Sequence, residues 1–431
     1  MRRLRGLKAL IHDAVDATVE LVREGHESTS RGVLRVTDEL EPLREPARAA
    51  DAIRRFATDG VLSTIQFVNR SVETVTDLGL DVALGPAAAD ELGVPAVPLV
   101  SNAMSTSSAA WVGDAALGVV NAVVGDHLHD RASGLDLSMV LRAGDRYVPV
   151  QTDALREALP DATAKVALFV HGMATTEWSW CLQAEAYHGD PGTHFGTLLA
   201  RDLGFTPLFL RYNTGRHISE CGRRLADLLE ELTDAYPVQP FELTLIGHSM
   251  GGLVLRSACH YGEEGGMRWP ARVRRAFYLG SPHQGAPLAS FGHALTGALN
   301  RVDLPATQIM ARILERRSAA VHDMRHAPIV DEDWLAPDPR AHDALPLAHA
   351  THHFISATLT RDPEHPLGVL MGDLLVRVPS ASGPMMSGAF PIDTSHYGGV
   401  MHHELQNHPA VYEQIRRLCA APGEGEAERL A

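Results

Sequence analysis

The residues Gly247-His248-Ser249-Met250-Gly251 set one serine between two glycines. Strand-forming residues 243–246, LTLI, run into them, and a helix-like segment, LVLRSACHY, leaves at once. That context fits the Gly-x-Ser-x-Gly nucleophile elbow, in which a sharp strand-to-helix turn lifts a hydroxyl above the sheet. Such a turn strains the backbone and brings neighbouring segments close, which Gly247 and Gly251 allow because they lack a Cβ. The chemistry this suits is nucleophilic acyl transfer. It also needs a base for the proton and donors for the developing oxyanion.

The donors have a candidate in LFVHGMATTEW, where an apolar strand ends in His171-Gly172 and Met173 follows. The backbone N–H of Met173 and that of Met250, directly after Ser249, are the expected oxyanion pair. Their side chains matter little for this role. His171, Gly172, Gly247, His248 and Gly251 are expected to support the elbow and its facing loop. For His171 the favoured role is ordering that loop by hydrogen bonding.

With these motifs in view the chain resembles the α/β-hydrolases of the lipase and esterase type, including bacterial lipases with an HG oxyanion loop. The matching segments are VHGM, GHSMGG, LGSPHQGAPLA, GDLLV and HHELQNHPAVY, in family order between residues 166 and 412. The resemblance implies a late acid in MGDLLVRV, Asp373, although Leu374 stands where glycine is usual; Asp362 and Asp393 are the alternatives. It also implies a histidine six residues before the His of a His-Pro helix start. Counting back from His408-Pro409 gives His402, with His403 as the neighbouring alternative. Ser249, Asp373 and His402 are then the expected catalytic residues. Ser281 and His283 of SPHQGAP are read as bordering the site, and Asn213 of RYNTGRH as a residue at its edge.

The elements that must position these groups follow from hydrophobic patterning. LDLSMVLR and RYVPV flank AGD as a hairpin would. Strands at 166–170, 206–212, 243–246, 275–280 and 354–358 alternate with helical segments, the pattern of a mostly parallel sheet with crossover helices. HPAVYEQIRRLC closes the domain, with Pro409 at the helix start. The expected fold is an α/β-hydrolase, a mostly parallel central sheet with flanking helices, over 131–420. A helical cap is expected at about 286–325, carrying Leu288, Phe291, Leu295, Leu299, Leu304, Ile309, Met310 and Ile313. Residues 1–130 read as an N-terminal helical region, from apolar spacing such as Leu4, Leu7, Ile11 and Val15. Residues 421–431 read as a disordered tail.

Composition bounds the partners. The 431 residues carry a net charge of -15, which disfavours nucleic-acid binding. Cys181, Cys221, Cys259 and Cys419 share no CxxC spacing, and His342, His349, His352 and His353 lack an HExxH arrangement, so no metal is expected. No apolar run reaches a membrane-spanning length, and Asp13, Asp16 and Glu20 interrupt any leader-like core. A cytoplasmic location is expected. The first helix is expected to pack on the main domain; its basic start also suits peripheral membrane contact. The expected function is a cofactor-free serine hydrolase acting on a small-molecule or lipid ester. An acyltransferase or thioesterase with the same residues, and a non-catalytic binding protein on the same fold, are the alternatives.

Overall fold

The computed structural model of the chain describes residues 136–285, 319–324, 326–334, 344–358, 360–362, 364, 373, 376, 378–381 and 392–420, together with 118, 121, 122, 125, 126 and 128–130. Most of the N-terminal helical region, most of the expected cap and the tail at 421–431 lie outside the described residues. Those described fall in one of the two compact units into which the chain divides.

An eight-stranded sheet forms the centre, in the order β2-β1-β4-β3-β5-β6-β7-β8. The hairpin β1 (Val140–Ala143) and β2 (Arg146–Val148) opens it, and β1 pairs antiparallel with β4 (Thr206–Arg211). Every other pairing is parallel, through β3 (Lys165–Val170), β5 (Glu242–His248), β6 (Val273–Leu279), β7 (Thr351–Thr358) and β8 (Ile392–Gly398). The central strands are buried on both faces, which is why they read as continuous apolar runs. Alternation still sorts the side chains: Val166, Leu168 and Val170 enter one core, Ala167 and Phe169 the other. Pro207 has no N–H to donate, and it lies just outside the stretch of β4 that pairs with β1.

Helices flank both faces. In α1 (Phe195–Leu203), His194 and Thr197 cap the N-terminus reciprocally. α2 (Ile218–Ala235) buries Ile218, Cys221, Leu225, Leu228, Leu229 and Leu232, a spacing that makes one apolar face. It packs against α3 (Met250–Glu264), the helix that leaves the serine turn, while α4 (Pro409–Ala420) closes the opposite core with Val411 and Ile415. This is the architecture of an α/β-hydrolase fold: a mostly parallel sheet between helical layers. One strand was not expected from sequence. β8 is an edge strand whose residues are all exposed or half-buried, so Asp393, Thr394, Ser395 and His396 carry no apolar signal.

The described residues from 118 to 130 are helical and tied to the end of β4. Asn213 Nδ2 donates to Gly125 O at 2.8 Å and to Asp136 Oδ1 at 2.6 Å, while Asn121 Oδ1 accepts from Leu137 N at 3.0 Å. Among the described residues, no helix is long and apolar enough to cross a membrane.

Candidate active site

Ser249 stands between β5 and α3 with φ 53° and ψ −126°. A positive φ is unusual for a residue with a side chain and marks backbone strain held by its surroundings. The surroundings here are backbone. Ser249 N donates to Leu279 O at 2.8 Å and Gly252 N to Ser249 O at 3.1 Å. A methyl group at Gly251 would lie 2.3 Å from Val170 O, and one at Gly247 would lie 2.7 Å from Gly252 Cα. Neither obstacle is a side chain that can swing aside. The two glycines are thus what lets strand, turn and helix close around the serine.

The HG loop lies directly against this turn. A methyl group at Gly172 would come within 2.9 Å of Ser249 Cβ. Tyr212 Oη donates to His171 O at 2.8 Å, Thr175 Oγ1 to Gly172 O at 2.9 Å, and Ala174 N to Thr214 Oγ1 at 3.3 Å. His171 is buried with its ring tilted against Tyr212, centroids 4.6 Å apart. Met250 is the first residue of α3, where a backbone N–H has no acceptor within the helix. Met173 is half-buried beside Gly172.

On the other side stands His402, at the start of a turn formed by His402–Gln406. Its Nδ1 lies 2.7 Å from Asp373 Oδ2, and both residues are buried. The carboxylate only accepts, so His402 carries its proton on Nδ1 and leaves Nε2 as a lone pair. Nε2 is buried and has no hydrogen-bond partner among the described residues. Asp373 is itself fixed: its Oδ1 accepts from Val376 N at 2.9 Å. Ser249 and His402 meet the same corner, for the carbonyl of Leu279 accepts from Ser249 and a methyl group on Gly280 would touch the His402 ring at 3.1 Å.

The two alternative carboxylates have other partners. Asp362 caps a local turn by accepting from Glu364 N, and Asp393 on β8 lies 3.5 Å from His353 Nδ1. His403 is half-buried, and burial holds its pKa below the usual range. His352 bonds to Leu347 O and Tyr278 Oη, and His349 to Pro270 O; His342 lies outside the described residues. Among the described residues no cluster of His, Cys, Asp and Glu could hold a metal ion. The four thiols are buried, which pushes that of Cys181 up to about 11 and those of Cys221, Cys259 and Cys419 to about 12.

Supporting contacts absent from the sequence reading surround the pair. Met401 N donates to Glu404 Oε2 at 2.7 Å, Tyr187 Oη to Glu404 Oε1 at 2.8 Å and Ser179 Oγ to Gln406 Oε1 at 2.7 Å, which clamps the His402 turn to the segment after the HG loop. Ser380 Oγ donates to Gly285 O and accepts from Gln284 N, stapling the SPHQG loop to the chain just after Asp373. His283 of that loop is buried against Arg256, 3.3 Å away, and burial followed by that charge keeps the ring neutral. Glu177 has no exposed surface. It accepts from Tyr147 Oη at 2.6 Å and Arg211 Nε at 2.8 Å, with Arg142 Nε 3.8 Å away.

Comparison with known proteins gives one family match and several likenesses among solved structures. The PGAP1-like alpha/beta domain family matches residues 161–330, a stretch that includes β3, the serine turn and α3. A search of curated proteins finds no match. Among solved structures, the chain is similar to the mature lipase BlEst2 of Bacillus licheniformis, at 17% identity and a TM-score of 0.41 over 65% of this chain and 98% of that one. It is similar to the phospholipase PlaB of Legionella pneumophila at 13% identity and a TM-score of 0.41, over 62% of each chain. For an esterase of Pyrobaculum calidifontis the values are 14% and 0.37, over 63% of this chain and 78% of that one.

Proposed function

We propose that the protein is a serine hydrolase that cleaves carboxylic esters through an acyl-serine intermediate. The observation that carries this reading is the 2.7 Å bond from His402 Nδ1 to Asp373, at the same corner as the strained Ser249 turn. In the proposed reaction Ser249 Oγ attacks the ester carbonyl carbon while His402 Nε2 takes the hydroxyl proton. The carbonyl electron pair moves onto oxygen, where the N–H groups of Met173 and Met250 hold it; such a donor is often worth about 3 kcal/mol. The C–O bond to the leaving alcohol then breaks, and the His402 proton passes to that alcohol. Water repeats the sequence on the acyl-serine, giving the acid and free Ser249. Asp373 keeps the imidazole in its reactive tautomer and stabilises the cation formed in each half-reaction.

The apolar residues that the sequence carries at 286–325 favour an ester with an acyl chain as the substrate class. The test is hydrolysis of p-nitrophenyl esters from acetate to palmitate by wild type, Ser249→Ala and His402→Ala. Turnover by the wild type and its loss by at least about 10³-fold in both variants is expected. Equal turnover by Ser249→Ala would end the proposal.

A further inference from the structure

The residue before the serine, His248, contributes to neither the oxyanion donors nor the proton relay described above. It ends β5, and its side chain turns away from solvent between Trp180, 6.5 Å away by ring centroid, and His402, 4.7 Å away. Its Nε2 lies 3.0 Å from the main-chain carbonyl oxygen of His402. A carbonyl can only accept, so Nε2 carries the hydrogen. Nδ1 is then the bare nitrogen; it is buried, has no hydrogen-bond partner among the described residues, and faces Gly172 of the HG loop.

We propose that His248 is a positioning residue that ties the main chain of His402 to the strand bearing Ser249, and so sets the spacing between base and nucleophile. The catalytic consequence rests on the hydrolase reading above; the geometry does not. The bond runs from the residue beside the candidate nucleophile to the main chain of the candidate base, across 154 positions of sequence. The Asp373 bond fixes the orientation of the His402 ring but leaves its distance from β5 to other contacts. The His248 bond is a direct link between that backbone and β5.

The ring makes this tie in its neutral form. Burial, and then the charges that His402, His403 and His171 can carry, disfavour a proton on His248; its bond to the His402 carbonyl opposes them only in part, and its pKa lies well below the usual range. A second positive charge there would also oppose the imidazolium that His402 becomes in each half-reaction. With Nδ1 unprotonated, the ring adds no charge beside it.

The experiment compares three replacements in the full chain. His248→Gln keeps an N–H near the Nε2 position, whereas His248→Asn is too short to reach and His248→Leu has none. With a soluble p-nitrophenyl ester, kcat is expected to fall roughly 10- to 100-fold in His248→Leu and His248→Asn with KM within about twofold, and to recover to within about threefold of wild type in His248→Gln. Unchanged kcat in His248→Asn, or a loss in His248→Gln equal to that in His248→Asn, overturns the proposal; this comparison stands even where His248→Leu does not fold. The second readout needs no activity. In ¹⁵N-detected spectra of the wild-type histidines, His248 is expected as the neutral Nε2–H tautomer from pH 8 to pH 5.5, and His248→Asn is expected to shift the His402 ring signals while His248→Gln restores them. An Nδ1–H tautomer, or His402 signals unmoved by His248→Asn, refutes the positioning role. A wild type with the predicted spectra but no turnover refutes the hydrolase reading alone.

Discussion

His402 and Asp373 are joined at 2.7 Å with Asp373 only 1% exposed, although 29 positions separate them in the chain. The carboxylate therefore acts on the His402 ring with little water to compete for it. Replacing it by an amide preserves the shape and loses the preference: an amide can donate to Nδ1 and so favour the tautomer with a proton on Nε2. Asp373→Asn is expected to lower kcat about 10³- to 10⁴-fold with little change in KM, measured on p-nitrophenyl butyrate. Asp362→Asn and Asp393→Asn are expected to stay within about twofold. A loss at Asp393 in place of Asp373 would assign the acid differently.

Gly172 makes a second, steric prediction. A methyl group there would lie 2.9 Å from Ser249 Cβ and 3.2 Å from His248 Nδ1. Gly172→Ala must push the HG loop away from the serine, and with it the Met173 N–H. Loss of one oxyanion donor costs roughly 10²-fold in kcat, and that is the expected size. The melting temperature is expected to move far less than in Gly251→Ala, where the obstacle is the Val170 carbonyl at 2.3 Å. Full activity in Gly172→Ala would show that the loop does not serve the reaction.

The buried charges around Glu177 bear on stability. Arg211 and Arg142 are each 2% exposed and Glu177 is 0% exposed, so removing the carboxylate strands two guanidinium groups out of water. Burial already lowers the pKa of Arg142, with Glu177 the main influence in the other direction. Glu177→Gln is expected to destabilise the fold by about 3–5 kcal/mol, the usual consequence of breaking a buried pair. Urea denaturation checks this; a change below about 1 kcal/mol would mean that the cluster is better hydrated than its burial implies.

Acid is expected to destabilise the chain through its histidines. Burial holds His194 down at about 3 and His352 at about 4, and keeps His248 and His283 well below the usual range. Each folded-state value is lower than that of the unfolded chain, near 6.5, so below that pH the unfolded state binds more protons. Stability is therefore fully present above about pH 6.5 and declines as pH falls towards 4, by about 1.4 kcal/mol per pH unit for each such proton once well below 6.5. Urea midpoints at pH 7.5 and pH 5 measure it. An unchanged or higher midpoint at pH 5 would contradict the buried neutral rings.

Legibility in the sequence followed burial. β3, β5 and β6 could be read because strands covered on both faces are written as apolar runs, and the serine turn because its two glycines flank the serine within a five-residue pattern. β8 could not, since an edge strand carrying Asp393, Ser395 and His396 looks like loop. The clamp from Tyr187 to Glu404 spans 217 positions, and the tie from Glu177 to Arg211 joins two residues whose types normally signal surface. Nothing local marks either. The helical reading of residues near 118–130 likewise gave no sign of their link to Asn213 at the end of β4.

The central claim is that Ser249 is an activated nucleophile, and the most direct measurement is mass-spectrometric mapping of a fluorophosphonate probe on the intact protein. The account predicts one equivalent of label on Ser249, slowed at least about 10²-fold in His402→Ala and absent in Ser249→Ala. No label on the wild type, or label on another serine such as Ser281 with Ser249 untouched, would contradict it.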